Sequence, residues 1–316
     1  MAVNVAVTGA SGFVGRLLVT QLIARGDTVR VLTRDRTRVN HLPPSVEVYV
    51  GDLASGADVP AAFVDGSDVI YHCAGETNRP AAMRLVHIEG TRALVKAAAN
   101  RVRHWVQLSS VGVYGPVRDG IVDENHALAP RGEYEVTKAE SEQLVRLSAD
   151  EGAFSCTVLR PSIVFGPGMP NRSLYQLISM VAGGMFFFIG QPGASANYIF
   201  VDNVVDALLA CGTAVQAKGK VYNLSDYRTM EEFVGGISTS LRKTEPRLRL
   251  PEQPVRLLAR FFGKFPGFPL TESRVNALTS RSRYSTNRIE TEFGYSHRVS
   301  MEDGLRRLVD FWRAGK

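Results

Sequence analysis

Short apolar runs alternate with longer amphipathic stretches through the first half of the chain. Apolar runs of strand length that are bounded by turn residues are typical of strands buried on both faces of a parallel sheet. The predicted strands are Val3–Val7, Thr28–Leu32, Val46–Val50, Val69–Cys73, Trp105–Ser109 and Ser155–Leu159, and the predicted helices are Phe13–Arg25, Pro80–Asn100 and Tyr134–Ala149. This alternation predicts an α/β fold with a doubly wound parallel sheet.

After Pro161 the pattern becomes less regular. Glycine- and proline-containing loops, such as Gly166-Pro167-Gly168, separate shorter elements, and a helix predicted over Met301–Trp312 ends the chain. We therefore expect a main domain over residues 1–165. We expect residues 166–316 to form mainly a smaller C-terminal lobe, with some segments returning to the main sheet.

The composition is that of an ordinary globular protein. Of the 316 residues, 45% are hydrophobic and 22% are charged, and the net charge is +6. The basic residues form no aromatic-rich stripe, so nucleic-acid binding is not expected. Cys73, Cys156 and Cys211 have no metal-ligand spacing and are predicted to be free thiols in a cytoplasmic protein. The most apolar run, Met180–Ile189, is too short to span a bilayer.

A glycine-rich turn follows the first predicted strand and opens the first predicted helix. Its sequence is Thr8-Gly9-Ala10-Ser11-Gly12-Phe13-Val14-Gly15. Gly9 allows a tight turn, Gly12 lets the backbone approach a pyrophosphate, and Gly15 lets the helix pack closely on the strand. The helix start offers free N–H groups to the phosphates. Residues Gly9, Ser11, Gly12, Phe13, Val14 and Gly15 are therefore predicted to bind a dinucleotide.

The residues after the second strand indicate which dinucleotide is bound. A carboxylate there would hold the ribose 2′-hydroxyl of NAD, whereas this chain has Arg34, which favours the 2′-phosphate of NADP. Arg36 and Arg38 are further cations for this phosphate. NADP is therefore preferred, and the alternative is NAD, with Asp35 turned back to the ribose.

Three residues at the ends of later strands, Asp52, Leu53 and Ala74, extend the predicted cofactor site. Asp52 is predicted to accept from the adenine amino group, or alternatively to cap a turn. Leu53 is predicted to pack on the adenine face. Ala74, at the end of the fourth strand, leaves room for the cofactor against the sheet edge.

The candidate chemistry lies in Ser110, Tyr134 and Lys138. Tyr134 and Lys138 are four residues apart on a predicted helix, so their side chains share one face. A free phenol has a pKa of about 10, and we expect the neighbouring ammonium and an oxidised nicotinamide ring to favour the phenolate. Tyr134 would then exchange a proton with a substrate oxygen, and Ser110 would orient that oxygen. Lys138 would also hold the nicotinamide ribose.

These segments resemble the extended short-chain dehydrogenase/reductase family of Rossmann-type enzymes. The similarity rests on the glycine turn, on Tyr134 and Lys138, and on further motifs along the chain: Asp52-Leu53, Leu108–Gly115, Leu159-Arg160-Pro161, Phe165–Gly168 and Phe200–Asn203. The resemblance maps the catalytic serine to Ser110 and adds Pro161 to the cofactor-binding residues. It also implies a homodimer formed through the helices near 80–100 and 134–149.

Two positions depart from the family pattern. His87 stands where the family usually has Asn before a Gly-Thr step, and we interpret it as a hydrogen-bonded structural histidine. Ala196 stands where nucleotide-sugar enzymes often carry an arginine that grips a diphosphate. Arg172, or Arg281 and Arg283, could replace that arginine, although each could equally be a surface residue.

Three functions remain open from the sequence. The first is hydride transfer at C4 of a nucleotide sugar, as a 4-ketoreductase or a 4-epimerase, with Tyr134 as proton donor or acceptor. The second is an NADP-dependent reductase or dehydrogenase of an apolar ketone or sterol-like alcohol, for which the Phe-rich stretches Met185–Phe188 and Leu257–Phe265 could line a pocket, unless they are packing residues. The third is a non-catalytic regulator that senses a dinucleotide.

Overall fold

The computed structural model describes residues 2–57, 59–262 and 271–315. Fourteen strands and twelve α-helices follow one another in these residues. The strands are β1 Asn4–Thr8, β2 Thr28–Thr33, β3 Glu47–Val50, β4 Val69–His72, β5 His104–Leu108, β6 Asp119–Val122, β7 Ser155–Pro161, β8 Ile163–Phe165, β9 Phe188–Ile189, β10 Ser195–Phe200, β11 Lys220–Leu224, β12 Asp226–Thr229, β13 Arg249–Leu250 and β14 Arg281–Tyr284. The helices are α1 Phe13–Ala24, α2 Ala61–Val64, α3 Pro80–Arg84, α4 Gly90–Ala98, α5 Glu133–Asp150, α6 Ser173–Ala182, α7 Val201–Thr213, α8 Met230–Leu241, α9 Glu252–Phe262, α10 Glu272–Thr279, α11 Asn287–Phe293 and α12 Met301–Ala314.

Seven parallel strands form the central sheet. Their order is β11-β7-β5-β4-β1-β2-β3, so the order reverses between β1 and β4, next to the glycine turn. Ligands of such sheets bind at the carboxyl ends of the strands, at this switch point. The predicted doubly wound parallel sheet is confirmed.

Helices cover both faces of this sheet. On one face, α1 and α7 pack together over the apolar residues of β1 and β2. On the other face, residues of α2, α4 and α5 pack against β4 and β5 around the buried Trp105. Because α7 and β11 come from the second half of the chain, that half supplies part of the main sheet and its cover. The division at residues 165 and 166 stays a prediction.

A smaller three-stranded sheet lies beyond the central one, in the order β12-β10-β8. It packs with α6, α8 and α12 around a second apolar core. Phe186 and Phe188 are buried in this core, which agrees with a packing role for Met185–Phe188, although Met185 itself is exposed. Of the stretch Leu257–Phe265, residues 263–265 lie outside the described residues, and Leu257, Leu258, Phe261 and Phe262 are exposed on α9.

Two further observations bear on the composition. Cys156 and Cys211 are buried, Cys73 is half-buried, and all three thiols are free. In the part of the chain that the structure describes, no helix has both the length and the apolar character needed to cross a membrane.

Candidate active site

A cleft of about 480 Å³ opens at the carboxyl ends of β1 to β4. It lies where the order of the central sheet reverses, which is the expected position for a nucleotide. The sequence-predicted residues that line it are Gly9, Ser11, Gly12, Arg34, Asp52, Leu53 and Ala74. The structure therefore brings seven of the predicted cofactor residues to one cavity.

The glycine turn gives this cleft its floor. Gly9 has a φ of +75°, and a Cβ there would lie 2.6 Å from the backbone of Cys73 and Ala74. The Gly12 N–H donates to the Gly9 carbonyl at 2.8 Å, and no side chain caps the start of α1. The first N–H groups of α1 are thus left for an acceptor such as a phosphate. A dinucleotide fits this cradle.

Four other predicted cofactor residues lie behind the cleft. Gly15 is buried directly under the turn, where a Cβ would lie 2.2 Å from the Gly9 carbonyl oxygen. Phe13 and Val14 pack into the apolar cores beside α1. Pro161 is buried at the end of β7, paired with Leu224 of β11. These residues shape the cleft by packing.

The end of β2 carries the residues that distinguish the two dinucleotides. Arg34 and Arg38 are exposed and line the cleft. The Arg36 guanidinium instead donates to the Val48 carbonyl at 3.0 Å. The Asp35 carboxylate accepts from the N–H and hydroxyl of Thr37, at 2.9 and 2.8 Å, and these bonds lower its pKa. Asp35 is therefore engaged in its own turn, while Arg34 and Arg38 line the cleft beside it.

Asp52 also has a local role, since its carboxylate accepts from the Ala54 N–H at 3.0 Å. This bond fits the turn-capping interpretation. Asp52 also lines the cleft, so this bond does not exclude the predicted contact with adenine.

Ser110 and Tyr134 meet at the edge of a second cavity of about 440 Å³. Ser110 follows β5 and caps a short 3₁₀ turn, Val111–Tyr114, by accepting from the Gly112 N–H at 3.1 Å. Tyr134 lies in the first turn of α5 and lines the same cavity, where Ser110 acts to lower the pKa of its phenol. The two sequence-predicted residues therefore face one cavity.

Lys138 lies one turn further along α5 and is buried. Its Nζ donates to the Leu108 carbonyl, and burial lowers its pKa to about 8. Burial raises the pKa of Tyr134, and Ser110 opposes this shift. Burial therefore opposes the phenolate, and the expectation that Lys138 and an oxidised nicotinamide together favour it stays a prediction.

His87 lies in a π-helical turn, Leu85–Glu89, that joins α3 to α4. Its Nε2 accepts a hydrogen bond from the Glu76 N–H at 2.8 Å, so Nε2 carries no proton. The proton of the neutral ring therefore lies on Nδ1, which is hydrogen-bonded to Thr137 Oγ1, also at 2.8 Å. The ring packs edge-on against Tyr134, with 5.7 Å between centroids. Burial and the nearby Lys138 lower its pKa to about 3. The structure thus agrees with a hydrogen-bonded, neutral histidine.

A buried ionic network, which the sequence did not reveal, connects α5 to the ends of β5 and β7. Arg160 and Glu142 form a salt bridge in which each side chain is 2% exposed. Ser109 donates to Glu142, and Arg160 donates to the Tyr114 hydroxyl at 2.9 Å. The only sequence signal was that Arg160 and Tyr114 belong to the quoted motifs. The network fixes the ends of β5 and β7 relative to α5.

The arginines proposed as a replacement for Ala196 are mostly engaged elsewhere. Ala196 itself is buried in β10. Arg281 donates to the Gln191 carbonyl at 3.1 Å, and Arg283 stacks over the Tyr227 ring at 4.4 Å. Arg172 is exposed at the start of α6.

Two other arginines border a neighbouring cavity of about 410 Å³. Arg118 and Arg131 line it, and it shares Pro116, Val117 and Ser280 with the cavity at Tyr134. Sequence reasoning missed both residues, because they lie in loops without a recognisable motif.

Residues 5–225 match the model of the NAD dependent epimerase/dehydratase family. The chain belongs to this family. It is therefore an NAD(P)-dependent enzyme of the extended short-chain dehydrogenase/reductase type, as the resemblance implied. This membership argues against a non-catalytic regulator.

Proteins with known activities resemble the chain over nearly its whole length. N-acetyl-alpha-D-glucosaminyl-diphospho-ditrans,octacis-undecaprenol 4-epimerase of Escherichia coli O157:H7 is 26% identical, over 98% of this chain and 95% of the relative. Human sterol-4-alpha-carboxylate 3-dehydrogenase, decarboxylating, is 27% identical, over 97% and 87%. The UDP-glucuronic acid 4-epimerase of Bacillus cereus, solved with NAD, superposes with a TM-score of 0.77 at 18% identity, over 98% and 96%. This last likeness supports the fold.

Proposed function

We propose that this enzyme transfers a hydride to or from C4 of a nucleotide sugar, with Tyr134 exchanging the proton of the substrate oxygen. The observation that carries the proposal is that Tyr134 and Ser110 line one cavity beside the dinucleotide cleft. The nicotinamide, when bound, would supply or accept the hydride. Similarity to the UDP-glucose 4-epimerase of Vibrio cholerae, which is 26% identical over 98% of this chain and 95% of the relative, supports the substrate class.

Each residue of the site has a distinct task in this proposal. Tyr134 donates the proton in reduction or accepts it in oxidation. Ser110 faces the same cavity and would orient the same substrate oxygen. Lys138, buried one turn further along α5, would hold the nicotinamide ribose.

The cofactor is proposed to be NADP, held at its 2′-phosphate by Arg34 and Arg38. Support comes from the exposed guanidinium groups in the cleft and from the engagement of Asp35 by Thr37. We propose that Arg118 and Arg131 bind the diphosphate of the substrate, because the cavity that they line shares Pro116, Val117 and Ser280 with the cavity at Tyr134.

The proposal includes a cytoplasmic homodimer. The helices α3–α4 and α5 carry exposed Leu85 and Leu147, which are 45% and 52% exposed, and a second copy would bury them. The free thiols are consistent with a reducing compartment.

A second candidate is oxidation or reduction of an apolar ketone or sterol-like alcohol. Leu177, Met230 and Leu278 line the cavity at Tyr134, and a sterol dehydrogenase is among the relatives.

The test combines one substitution with ligand identification. Tyr134→Phe should reduce turnover about 100- to 10,000-fold while leaving dinucleotide affinity within a factor of about two, since the phenol lies outside the cleft. Tyr49→Phe, on the edge strand β3, is the matched control. Turnover would be followed as dinucleotide absorbance and as interconversion of UDP-glucose and UDP-galactose. Undiminished turnover of Tyr134→Phe would reject the role of this residue.

Mass spectrometry of ligands released from the purified protein tests the substrate class separately. A co-purified nucleotide sugar would support the proposal. A retained sterol would favour the second candidate.

A further inference from the structure

Three polar side chains in the wall of the cavity at Tyr134 have unpartnered atoms. Ser162 Oγ, Ser195 Oγ and Asn197 Oδ1 are buried without a hydrogen-bond partner among the described residues. The two serines are only 5% and 6% exposed, and all three residues line the cavity. Burying a polar atom without a partner is unfavourable, so such atoms in one wall call for a ligand that pairs with them.

The backbone places these three residues side by side. In the small sheet, Tyr198 of β10 pairs in parallel with Ile163 of β8, and Asn197 and Ser162 each directly precede a member of this pair. Ser195 lies two residues before Asn197 on the same strand and therefore on the same face. The unpartnered atoms thus belong to one surface, which we call the polar wall.

The Asn197 amide is fixed in one orientation. Its Nδ2 donates to the Ser282 carbonyl at 2.9 Å, and the reversed amide would place an oxygen against that carbonyl. Oδ1 is therefore an acceptor that requires a donor such as a hydroxyl. The two serine hydroxyls can donate or accept. A ligand that carries several hydroxyl groups satisfies all three positions.

The charge of the cavity limits the ligand further. Among the described residues that line it, the single ionisable acid or base other than tyrosine is Glu135. Its carboxylate accepts from the N–H groups of Arg131 and Gly132 at the start of α5, both at 3.0 Å. No described cation of this cavity is placed to pair with an anionic group of a ligand.

We propose that the polar wall selects a substrate whose reacting portion is uncharged and carries at least two hydroxyl groups on one face. This inference rests on the proposed function for the statement that the substrate enters this cavity. It places a neutral sugar ring ahead of a sugar acid, because a carboxylate would be buried without a cation. It also places the sugar ring ahead of a hydrocarbon skeleton, which would leave the wall unpartnered.

Binding to the NADP⁺-saturated enzyme, measured by calorimetry, tests the selection. The probes are UDP-glucose, UDP-glucuronic acid and the steroid dehydroepiandrosterone, which stands in for a sterol. UDP-glucose should bind at least about 10-fold more tightly than either of the others. Failure of UDP-glucose to bind more tightly than both would overturn the proposal.

Substitutions in the polar wall test whether its side chains cause this selectivity for UDP-glucose. Asn197→Leu and Ser195→Ala should each weaken UDP-glucose about 3- to 10-fold, without weakening the sterol. Ser240→Ala is the control, because this serine bonds within α8 at the Gly236 carbonyl. Equal affinity of the wild type and both wall variants for UDP-glucose would show that the polar wall does not bind its hydroxyl groups.

Thermal unfolding without ligand gives a readout that is independent of activity. Ser162→Ala and Ser195→Ala remove unpartnered hydroxyls, so their melting temperature should equal or exceed that of the wild type. Ser141→Ala should melt lower, because Ser141 is buried and bonded to Thr91 and Gln107. A lower melting temperature of both wall variants would contradict the proposal. Turnover of Tyr134→Phe separately decides the proposed function, so the two failures are distinguishable.

Discussion

The dinucleotide cleft and the cavity at Tyr134 lie side by side but are built from different chemistry. The cleft is lined by Arg34, Arg38 and Arg79 and by the backbone of the glycine turn. The cavity is lined by serines, an asparagine, tyrosines and aliphatic side chains, and its one acid, Glu135, is engaged at the start of α5. One site is suited to phosphates, the other to uncharged groups.

The difference follows from the segments that form each site. The cleft is formed by turns that directly follow neighbouring parallel strands, where free N–H groups and helix starts are always available. The cavity is formed by residues of β8, β10, β14 and α5, which are far apart in the sequence. A common cofactor can thus be bound by a local motif, whereas substrate selection depends on distant residues.

The largest expected effect on the cleft comes from adding a methyl group beneath the glycine turn. Gly15→Ala would place a Cβ 2.2 Å from the Gly9 carbonyl oxygen, which forces α1 and the turn apart. We expect a loss of about 3 kcal/mol in the free energy of unfolding and about a 100-fold weaker dinucleotide affinity. Chemical denaturation and calorimetry measure the two quantities. Gly315→Ala, which has no Cβ contact closer than 3.7 Å, is the control. Unchanged dinucleotide affinity would contradict the packing account.

The buried Lys138 of α5 should make stability depend on pH. Its pKa is lowered from 10.5 to about 8 in the folded protein, so between these pH values the unfolded chain binds more protons. Relative to Lys138→Met, the wild type should gain up to about 3 kcal/mol of unfolding free energy as pH rises from 8 to 10.5. Denaturant titrations across this range measure the gain. Parallel pH profiles of the two proteins would show that the lysine is not desolvated.

Arg34→Ala tests the phosphate chemistry of the cleft. We expect NADP affinity to fall about 10- to 50-fold and NAD affinity to change little, because a charged hydrogen bond to the 2′-phosphate is lost. Arg36→Ala is a matched control two residues away, since this guanidinium is bonded to the Val48 carbonyl. Equal weakening of both dinucleotides would remove the basis for preferring NADP.

The smallest effect is expected in the neighbouring cavity of about 410 Å³ that Arg118 and Arg131 line. Arg118→Ala and Arg131→Ala should each weaken UDP-glucose about 2- to 5-fold, because exposed ionic contacts are weak. The loss should shrink in high salt. Calorimetry at two salt concentrations measures it. A loss that is independent of salt would place the diphosphate elsewhere.

Much of the cofactor site could be predicted from the sequence. The glycine turn, Arg34 and the helical spacing of Tyr134 and Lys138 are local patterns, and local backbone geometry places them. The hydrogen bond from Lys138 Nζ could not be predicted, because the Leu108 carbonyl that accepts it comes from a strand distant in sequence. The sequence also did not distinguish Arg36, which turns away from the cleft, from Arg34.

The sequence by itself determined the doubly wound sheet and the glycine turn at its nucleotide edge, because apolar periodicity and glycine spacing act over a few neighbouring residues. Only the tertiary structure placed Ser162, Ser195 and Asn197 on one wall and Arg160 against Glu142. Hydrogen bonding and desolvation depend on what surrounds a side chain in space, and those neighbours come from segments that no local pattern connects.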